Sequence, residues 1–172
     1  MLKGRYKIRG FSLVEIITIL FVVSLGLVGI LSLIIQNIQS QSYNKNNLVA
    51  YQLSQEGIEL IRKVRDSNYK AGHAYNLNLN CTAVGTEYYM DYLDETPHAH
   101  SSSLPAELIL KQSSVGFYFH DLSSAATSSA FSRLITLQKV TNKSFRIKSR
   151  VTWAERSRTY AYELETILYD WK

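Results

Sequence analysis

An uninterrupted apolar stretch near the amino terminus limits what this chain can fold into more than any other feature. Residues 11–35 contain no basic side chain and a single acidic one, Glu15. As an α-helix this stretch would be about 37 Å long, because each residue adds about 1.5 Å, and that length crosses a lipid bilayer with some tilt. The stretch therefore predicts a membrane-spanning helix.

The residues before the stretch set its expected direction in the membrane. Residues 1–10 carry Lys3, Arg5, Lys7 and Arg9 and no acidic side chain. Basic flanks stay in the cytoplasm, so the rest of the chain is expected outside the cytoplasmic membrane. A carboxylate within lipid costs free energy, and Glu15 is therefore interpreted as a functional residue with a partner.

The junction between the basic and the apolar residues has a distinctive order. Gly10 precedes it, Phe11 follows it, and Glu15 stands fifth when counted from Phe11. This order resembles the amino-terminal signature of type IV prepilins. The resemblance implies that a prepilin peptidase cuts between Gly10 and Phe11 and methylates the new amine of Phe11. It also implies that Glu15 pairs with that amine on a neighbouring subunit, so that each buried charge satisfies the other.

Two other kinds of segment share parts of this pattern. A secretory signal peptide has an apolar core of roughly 7–15 residues followed by a small-residue cleavage site, which this stretch does not match. An uncut single-pass anchor explains the basic flank and the length, but neither Gly10 nor the position of Glu15. In such an anchor the carboxylate would reach the lipid headgroups or be protonated. That alternative describes a membrane-anchored surface receptor or adhesin.

Beyond the apolar stretch the helix is expected to continue. Residues 36–47 are polar and contain neither Pro nor Gly, which favours a solvated link between two helical parts. Residues 48–66 then repeat apolar side chains at spacings of three and four, as an amphipathic helix does. Gly57 lies on the apolar side and predicts a close approach of the sheet. The sequence Asp66-Ser67-Asn68 predicts the end of the helix.

Residues 52–69 also resemble the helix of minor pilin-like proteins, through the pattern EGIE…R…RDSN. Two interpretations of its charges stay open, namely pairs within the helix or across subunits and an ordinary solvated face. The charged residues concerned are Glu56, Arg62, Arg65 and Asp66. A further pair, Glu59 with Lys63, has the spacing and order that stabilise a helix.

Residues 69–172 are predicted to form an antiparallel sheet. Strands are expected at residues 87–93, 108–111, 116–120, 134–140, 145–153 and 158–168, and loops at 94–105 and 122–132. The last two strands alternate apolar and polar residues, as strands with one buried face do. We predict that they pair as a hairpin whose loop of two or four residues is centred on Glu155-Arg156. The predicted opposite pairs are Val151–Tyr160, Ile147–Leu164, Phe145–Thr166, Lys148–Glu163 and Arg146–Glu165.

Residues 131–158 hold eight basic side chains and one acidic one, Glu155. The basic residues are Arg133, Lys139, Lys143, Arg146, Lys148, Arg150, Arg156 and Arg158. Basic residues interleaved with Phe and Trp are compatible with nucleic-acid contact, which stays open. The predicted pairs with Glu163 and Glu165 instead favour a solvated strand face. Global charge does not argue for DNA, because removing the four basic residues of the leader leaves 15 basic against 14 acidic side chains.

Three histidines and a cysteine were candidates for metal or thiol chemistry. His98, His100 and His120 lie near Asp91, Asp94 and Glu95, but without a firm metal-ligand spacing, so they are interpreted as exposed loop residues. Cys81, the only cysteine, has no partner for an internal disulfide and is expected to be a packed residue. No catalytic arrangement stands out, and neither enzymatic activity nor a cofactor or metal is expected.

These features predict an α+β, pilin-like fold in which a long N-terminal helix, transmembrane in its first half, packs on an antiparallel sheet. The expected parts are a cleaved leader (1–10), a transmembrane and filament-core helix (11–35), its amphipathic continuation (36–68) and a sheet region (69–172). The resemblance implies a minor pilin or pseudopilin, held in the cytoplasmic membrane as a precursor. Its partners would be membrane lipid, the peptidase and other pilin subunits in an extracellular or periplasmic filament.

Overall fold

The computed structural model describes residues 10–93, 96–100, 108–120 and 127–170. It has one long helix, α1 (Leu13–Lys70), and an antiparallel sheet, which confirms the predicted α+β fold. The strands are β1 (Thr86–Tyr89), β2 (His98–Ala99), β3 (Ile109–Gln112), β4 (Tyr118–Phe119), β5 (Thr127–Thr141), β6 (Ser144–Glu155) and β7 (Arg158–Tyr169). By its contacts the chain divides into two compact units, Met1–Tyr43 and Asn44–Lys172, which are described separately.

The first described unit is helical from Leu13 onward. The carbonyl of Ser12 accepts the first helical hydrogen bond, from the N–H of Ile16 at 3.2 Å, so Ser12 caps the helix. The polar residues 36–47 are helical as predicted, because they lie within α1 and contain no residue that breaks a helix.

In the second unit the helix ends two residues later than Asp66-Ser67-Asn68 predicts. Gly72 has a φ of +75°, and the N–H of His73 donates to the carbonyl of Asn68 at 2.9 Å. This is a Schellman ending, which needs a residue that tolerates positive φ. Asn68 stays helical and is buried, and its side chain donates to the carbonyl of Leu77 at 2.8 Å. The glycine, rather than the polar triplet, determines where the helix ends.

The sheet is built around β5. On one side β5 pairs with β6, and β6 pairs with β7. On the other side β5 pairs with β3 near its start and with β1 further along. β4 pairs with the outer edge of β3, and β2 pairs with the outer edge of β1. Two loop predictions were wrong, since β5 already begins at Thr127 and β2 lies within residues 94–105. The Ser- and Ala-rich start of β5 is extended because it pairs with β3, and this pairing outweighs the low strand propensity of the segment.

The β6–β7 hairpin is confirmed, but its predicted register was wrong by two residues. The observed opposite pairs are Val151–Tyr162, Ile147–Thr166, Phe145–Leu168, Lys148–Glu165 and Arg146–Ile167. A shift of two keeps every side chain on its predicted face, because the side-chain period of a strand is two. The loop consists of Arg156 and Ser157, with φ values of +50° and +64°. Two residues with positive φ are typical of a type I′ turn, which fixes this register.

The core between α1 and the sheet consists of two apolar clusters. The first cluster contains Ile58, Leu60, Ile61, Val64, Leu79, Tyr88, Met90, Ile135, Leu137, Phe145, Ile147 and Leu168. The second contains Ala50, Leu53, Leu110, Phe131, Val151 and Trp153. Buried Arg133 lies between Phe131 and Ile135 along β5, and buried Ser149 lies between Ile147 and Val151 along β6. A polar layer therefore separates the clusters.

Gly57 brings the helix close to this polar layer. A Cβ atom at Gly57 would lie 2.5 Å from Oγ of Ser149 and 3.3 Å from Cδ of Arg133. Only a residue without a side chain fits here without displacing its neighbours, since packed interiors leave few voids. The predicted close approach at Gly57 is confirmed.

Candidate functional site

The Gly10–Phe11 peptide bond lies immediately before the helix. Helical structure begins at Leu13, and among the described residues no atom beyond the chain neighbours of Gly10 lies within 4 Å of where its Cβ would be. The side chain of Phe11 is 73% exposed. Both residues that flank the bond are exposed and lie outside regular structure.

Glu15 lies in the first turn of α1, where the helix leaves backbone N–H groups without helical partners. A carboxylate in this turn interacts favourably with the helix dipole. Glu15 is exposed, four residues after Phe11. The structure thus brings the three predicted site residues, Gly10, Phe11 and Glu15, into one short segment at the start of the helix.

The apolar side chains that follow are all exposed. Their exposed fractions range from 48% at Ile16 to 74% at Leu13 over residues 13–35. An 18-residue part of the helix has a mean hydropathy of 2.7 and none of it is buried, so by length and composition it can cross a membrane. An apolar surface of this size marks a membrane or protein contact.

Hydroxyl groups within the apolar stretch are satisfied by the helix itself. Oγ1 of Thr18 donates to the carbonyl of Glu15, and Oγ of Ser24 donates to the carbonyl of Phe21, each at 2.8 Å. Such back-bonding removes the need for a partner outside the helix. These polar residues are therefore compatible with an apolar environment.

The charged residues of the second part of the helix lie partly as expected. Arg62 pairs with Glu59, and Arg65 pairs with Asp66 at 2.8 Å, both within the helix. Glu56 instead pairs across the helix–sheet boundary with Arg133, at 3.3 Å. Glu56 therefore contributes to the contact between the helix and the sheet.

The basic residues of β5 and β6 do not form one continuous exposed face. Arg133 is completely buried, which corrects its assignment to a solvated basic face. Arg146 lies 4.0 Å from Glu165, and Lys148 lies 3.1 Å from Glu163, so these two predicted ion pairs form. Arg150, by contrast, is exposed. Neutralised charges on the strand face weaken the argument for nucleic-acid binding.

The histidines are not exposed loop residues as interpreted from sequence. His98 lies in β2 and stacks on Tyr89 at 5.2 Å between ring centroids, and His98, His100 and His120 are all partly buried. Among the described residues there is no group of three or more side chains able to hold a metal ion. Asp94 and Glu95, two of the acidic candidates, lie outside the described residues.

Arg133 is the centre of a polar cluster that sequence reasoning missed. Its guanidinium donates to the carbonyls of Met90 at 2.6 Å and Leu53 at 3.2 Å, besides its ion pair with Glu56. Burial lowers the pKa of Arg133 while Glu56 raises it. The sequence contained a signal for this cluster, because Arg133 has the same phase as the apolar residues Phe131, Ile135 and Leu137 of the alternating strand.

His120 lies beside this cluster. Its backbone N–H donates to Oδ2 of Asp91 at 2.8 Å, and its ring lies 5.7 Å from that of Tyr89. Burial, and next the nearby Arg133, lower the pKa of His120 to about 4, so the imidazole is neutral at pH 7. No sequence spacing pointed to this contact, because the end of β1 and the residue after β4 come together only in the folded sheet.

Cys81 is half-buried, and its Sγ lies 3.6 Å from the carbonyl oxygen of Leu79. Burial raises the pKa of the thiol to about 11. A protonated thiol is a poor nucleophile, and Cys81 is therefore a packed residue, as the sequence predicts.

Comparisons of the chain with models of protein families, with curated proteins and with solved structures found no match.

Proposed function

We propose that this chain is a structural subunit, a minor pilin or pseudopilin, of a type IV pilus-like filament. The observation that carries the proposal is the exposed apolar first part of α1 with Gly10, Phe11 and Glu15 at its start. A structure of this kind needs an apolar environment before and after assembly. Lipid supplies it to the precursor, and the helices of other subunits supply it in the filament.

Glu15 gives the assembly its axial specificity in this proposal. A carboxylate among packed apolar helices is strongly unfavourable unless it has a partner of opposite charge. The amine of Phe11 on a neighbouring subunit, made available by cleavage after Gly10, is that partner. The pair satisfies both charges at only one displacement between neighbouring helices, so it sets the stagger of the subunits.

Cleavage and methylation are carried out by a membrane-bound prepilin peptidase on the cytoplasmic side. The position of the Gly10–Phe11 bond supports this step, since the bond precedes the first helical turn and its two residues are exposed. Residues 1–10 act as the leader, and the sheet unit lies outside the cytoplasmic membrane. The subunit itself has no catalytic role in this proposal.

The test is the intact mass and the N-terminal sequence of the full chain recovered from membranes with and without an active prepilin peptidase. We expect a chain that begins at Phe11 and carries one additional methyl group only when the peptidase is active. Gly10→Val should block cleavage. Gly29→Val is the control, because it adds the same side chain at an open position within α1, away from the cleavage site.

A second variant separates processing from assembly. Glu15→Gln should still be cleaved but should not enter filaments, whereas Glu59→Gln, an exposed carboxylate further along α1, should do both. A chain that begins at Met1 in cells with active peptidase would overturn the proposal. That result would favour the uncleaved, membrane-anchored receptor or adhesin.

A further inference from the structure

The end of the β3–β4 hairpin is attached to the sheet through one buried carboxylate. Asp91, which follows β1, is 6% exposed. Its Oδ2 accepts from the N–H of His120 at 2.8 Å, and its Oδ1 accepts from the N–H of Leu93 at 2.9 Å. Asp91 therefore joins the residue after β4 to the segment after β1.

Charged and titratable groups face His120 from several elements. Arg133 of β5 is close enough to repel a charged imidazole, and Asp91 attracts it. Behind Arg133 lies Glu56 of α1, at 3.3 Å from the guanidinium. Tyr89 of β1 makes a tilted ring contact with the imidazole and is itself stacked on His98 of β2.

The site around the imidazole of His120 favours its neutral form. Both ring nitrogens are shielded from water and make no hydrogen bond of normal geometry within the described residues. The backbones of Leu108 and Arg133 favour the charged ring, but burial and the guanidinium of Arg133 outweigh them. An imidazolium needs acceptors for two N–H groups. Both oxygens of Asp91 already accept backbone N–H groups, so this carboxylate compensates a charge on the ring only in part, and that charge would lie close to Arg133.

We propose that Asp91, His120 and Arg133 form an acid-sensitive junction, at which protonation of His120 releases the β3–β4 hairpin from the sheet. The β3–β4 hairpin is the part of the sheet that opens, because its strands are short. β3 has three opposite residue pairs with β5, interrupted by a bulge, whereas β6 and β7 form a continuous ladder over twelve residues each. Segments with few contacts open at the lowest free energy.

The direction of the pH dependence follows from linkage. The pKa of His120 is about 4 in the closed fold and 6.5 for a free imidazole, so the opened state binds the proton more tightly. Acidification between pH 6.5 and pH 4 therefore favours opening. From pH 7 to pH 4.5 these two values predict an increase of about 50-fold in the opening equilibrium.

The test is hydrogen–deuterium exchange of the full chain in detergent micelles, at pH 7 and pH 4.5, corrected for the intrinsic exchange rate. We expect the amides of residues 109–120 to lose about 50-fold of their protection at pH 4.5, while β6 and β7 keep theirs. His120→Phe, which keeps a ring but cannot titrate, should lose this response. His98→Phe is the matched control and should retain it.

Two results would overturn the proposal. One is a His120→Phe chain that opens in acid as the unchanged chain does. The other comes from the unchanged chain itself, so it does not depend on whether a variant folds. An NMR titration in which the His120 ring titrates near pH 6.5, rather than below pH 5, would show that the closed fold accepts the charge. Neither result depends on whether the chain is a filament subunit.

Discussion

Nζ of Lys148 lies 3.1 Å from Glu163, although the residue directly opposite Lys148 on β7 is Glu165. The same ammonium lies 3.6 Å from Glu165, so it bridges two carboxylates on one strand. The observed register differs by two residues from the predicted one, and Lys148 still forms ion pairs with the glutamates of β7. Side-chain pairing does not distinguish registers that differ by two, and the turn must do so.

The Arg156-Ser157 turn can be improved by substitution. Ser157 has a φ of +64°, a conformation that is unfavourable for residues with a Cβ and free of that penalty for glycine. Ser157→Gly should raise the free energy of unfolding by about 0.5–1 kcal/mol. Urea unfolding of the full chain in micelles, followed by tryptophan fluorescence, measures this. Thr159→Gly, in the following strand, should destabilise instead, and a gain from Thr159→Gly would contradict the explanation.

Gly57 should tolerate no branched side chain. A Cβ there would already lie 2.5 Å from Oγ of Ser149, and the additional methyl groups of Gly57→Val have no free space. We expect the free energy of unfolding to fall by about 1–3 kcal/mol, the usual result of overpacking. Gln52→Val, at an exposed position of the same helix, is the control and should change stability little. Equal effects of the two substitutions would argue against close packing at Gly57.

Substitutions of Glu56 and of Arg133, the two partners of the buried ion pair, should lower the free energy of unfolding by different amounts. Glu56→Gln leaves the guanidinium of Arg133 completely buried without this counter-charge, and we expect a loss of about 3 kcal/mol in the free energy of unfolding. Arg133→Met leaves Glu56, whose side chain is one-third exposed and can be hydrated, and should cost about 1–2 kcal/mol. Unfolding in urea gives both values. The reverse order would mean that Arg133 matters mainly through the carbonyls of Met90 and Leu53.

Cys81 should react slowly with alkylating reagents in the folded chain. Burial raises the pKa of its thiol from 9.0 to about 11, which reduces the thiolate present at pH 8 by about 100-fold. The rate of iodoacetamide modification, measured by mass spectrometry, should fall accordingly. The same chain unfolded in urea at pH 8 provides the reference rate. Similar rates in the two conditions would show that the thiolate is not disfavoured by the fold.

Much of the architecture could be predicted from local patterns. The apolar stretch, the three- and four-residue spacing of residues 48–66 and the alternation in β6 and β7 each depend on neighbouring residues alone, and the structure has the corresponding elements. The end of the helix and the hairpin register were missed because each depends on backbone torsions, at Gly72 and at the Arg156-Ser157 turn. Torsions of positive φ leave only a weak trace in composition.

The polar cluster could be predicted only in part. The phase of Arg133 in an apolar alternation indicates that it points inward, and the same is true of Ser149. Its partners could not be predicted, because Glu56, Asp91 and His120 come from three segments that meet only through the strand order. Long-range contacts of this kind require the sheet topology, which one sequence does not determine.

The polar layer of Arg133 and Ser149 between the two apolar clusters allows α1 only one position along the sheet. Sliding α1 by one turn, about 5.4 Å, would move Gln52 or Leu60 into the place of Glu56. The same movement would bring Leu53 or Ile61 against Ser149, where only Gly57 fits. An entirely apolar interface would accept several such positions at similar free energy. Arg133 and Gly57 together exclude all of them except the observed one.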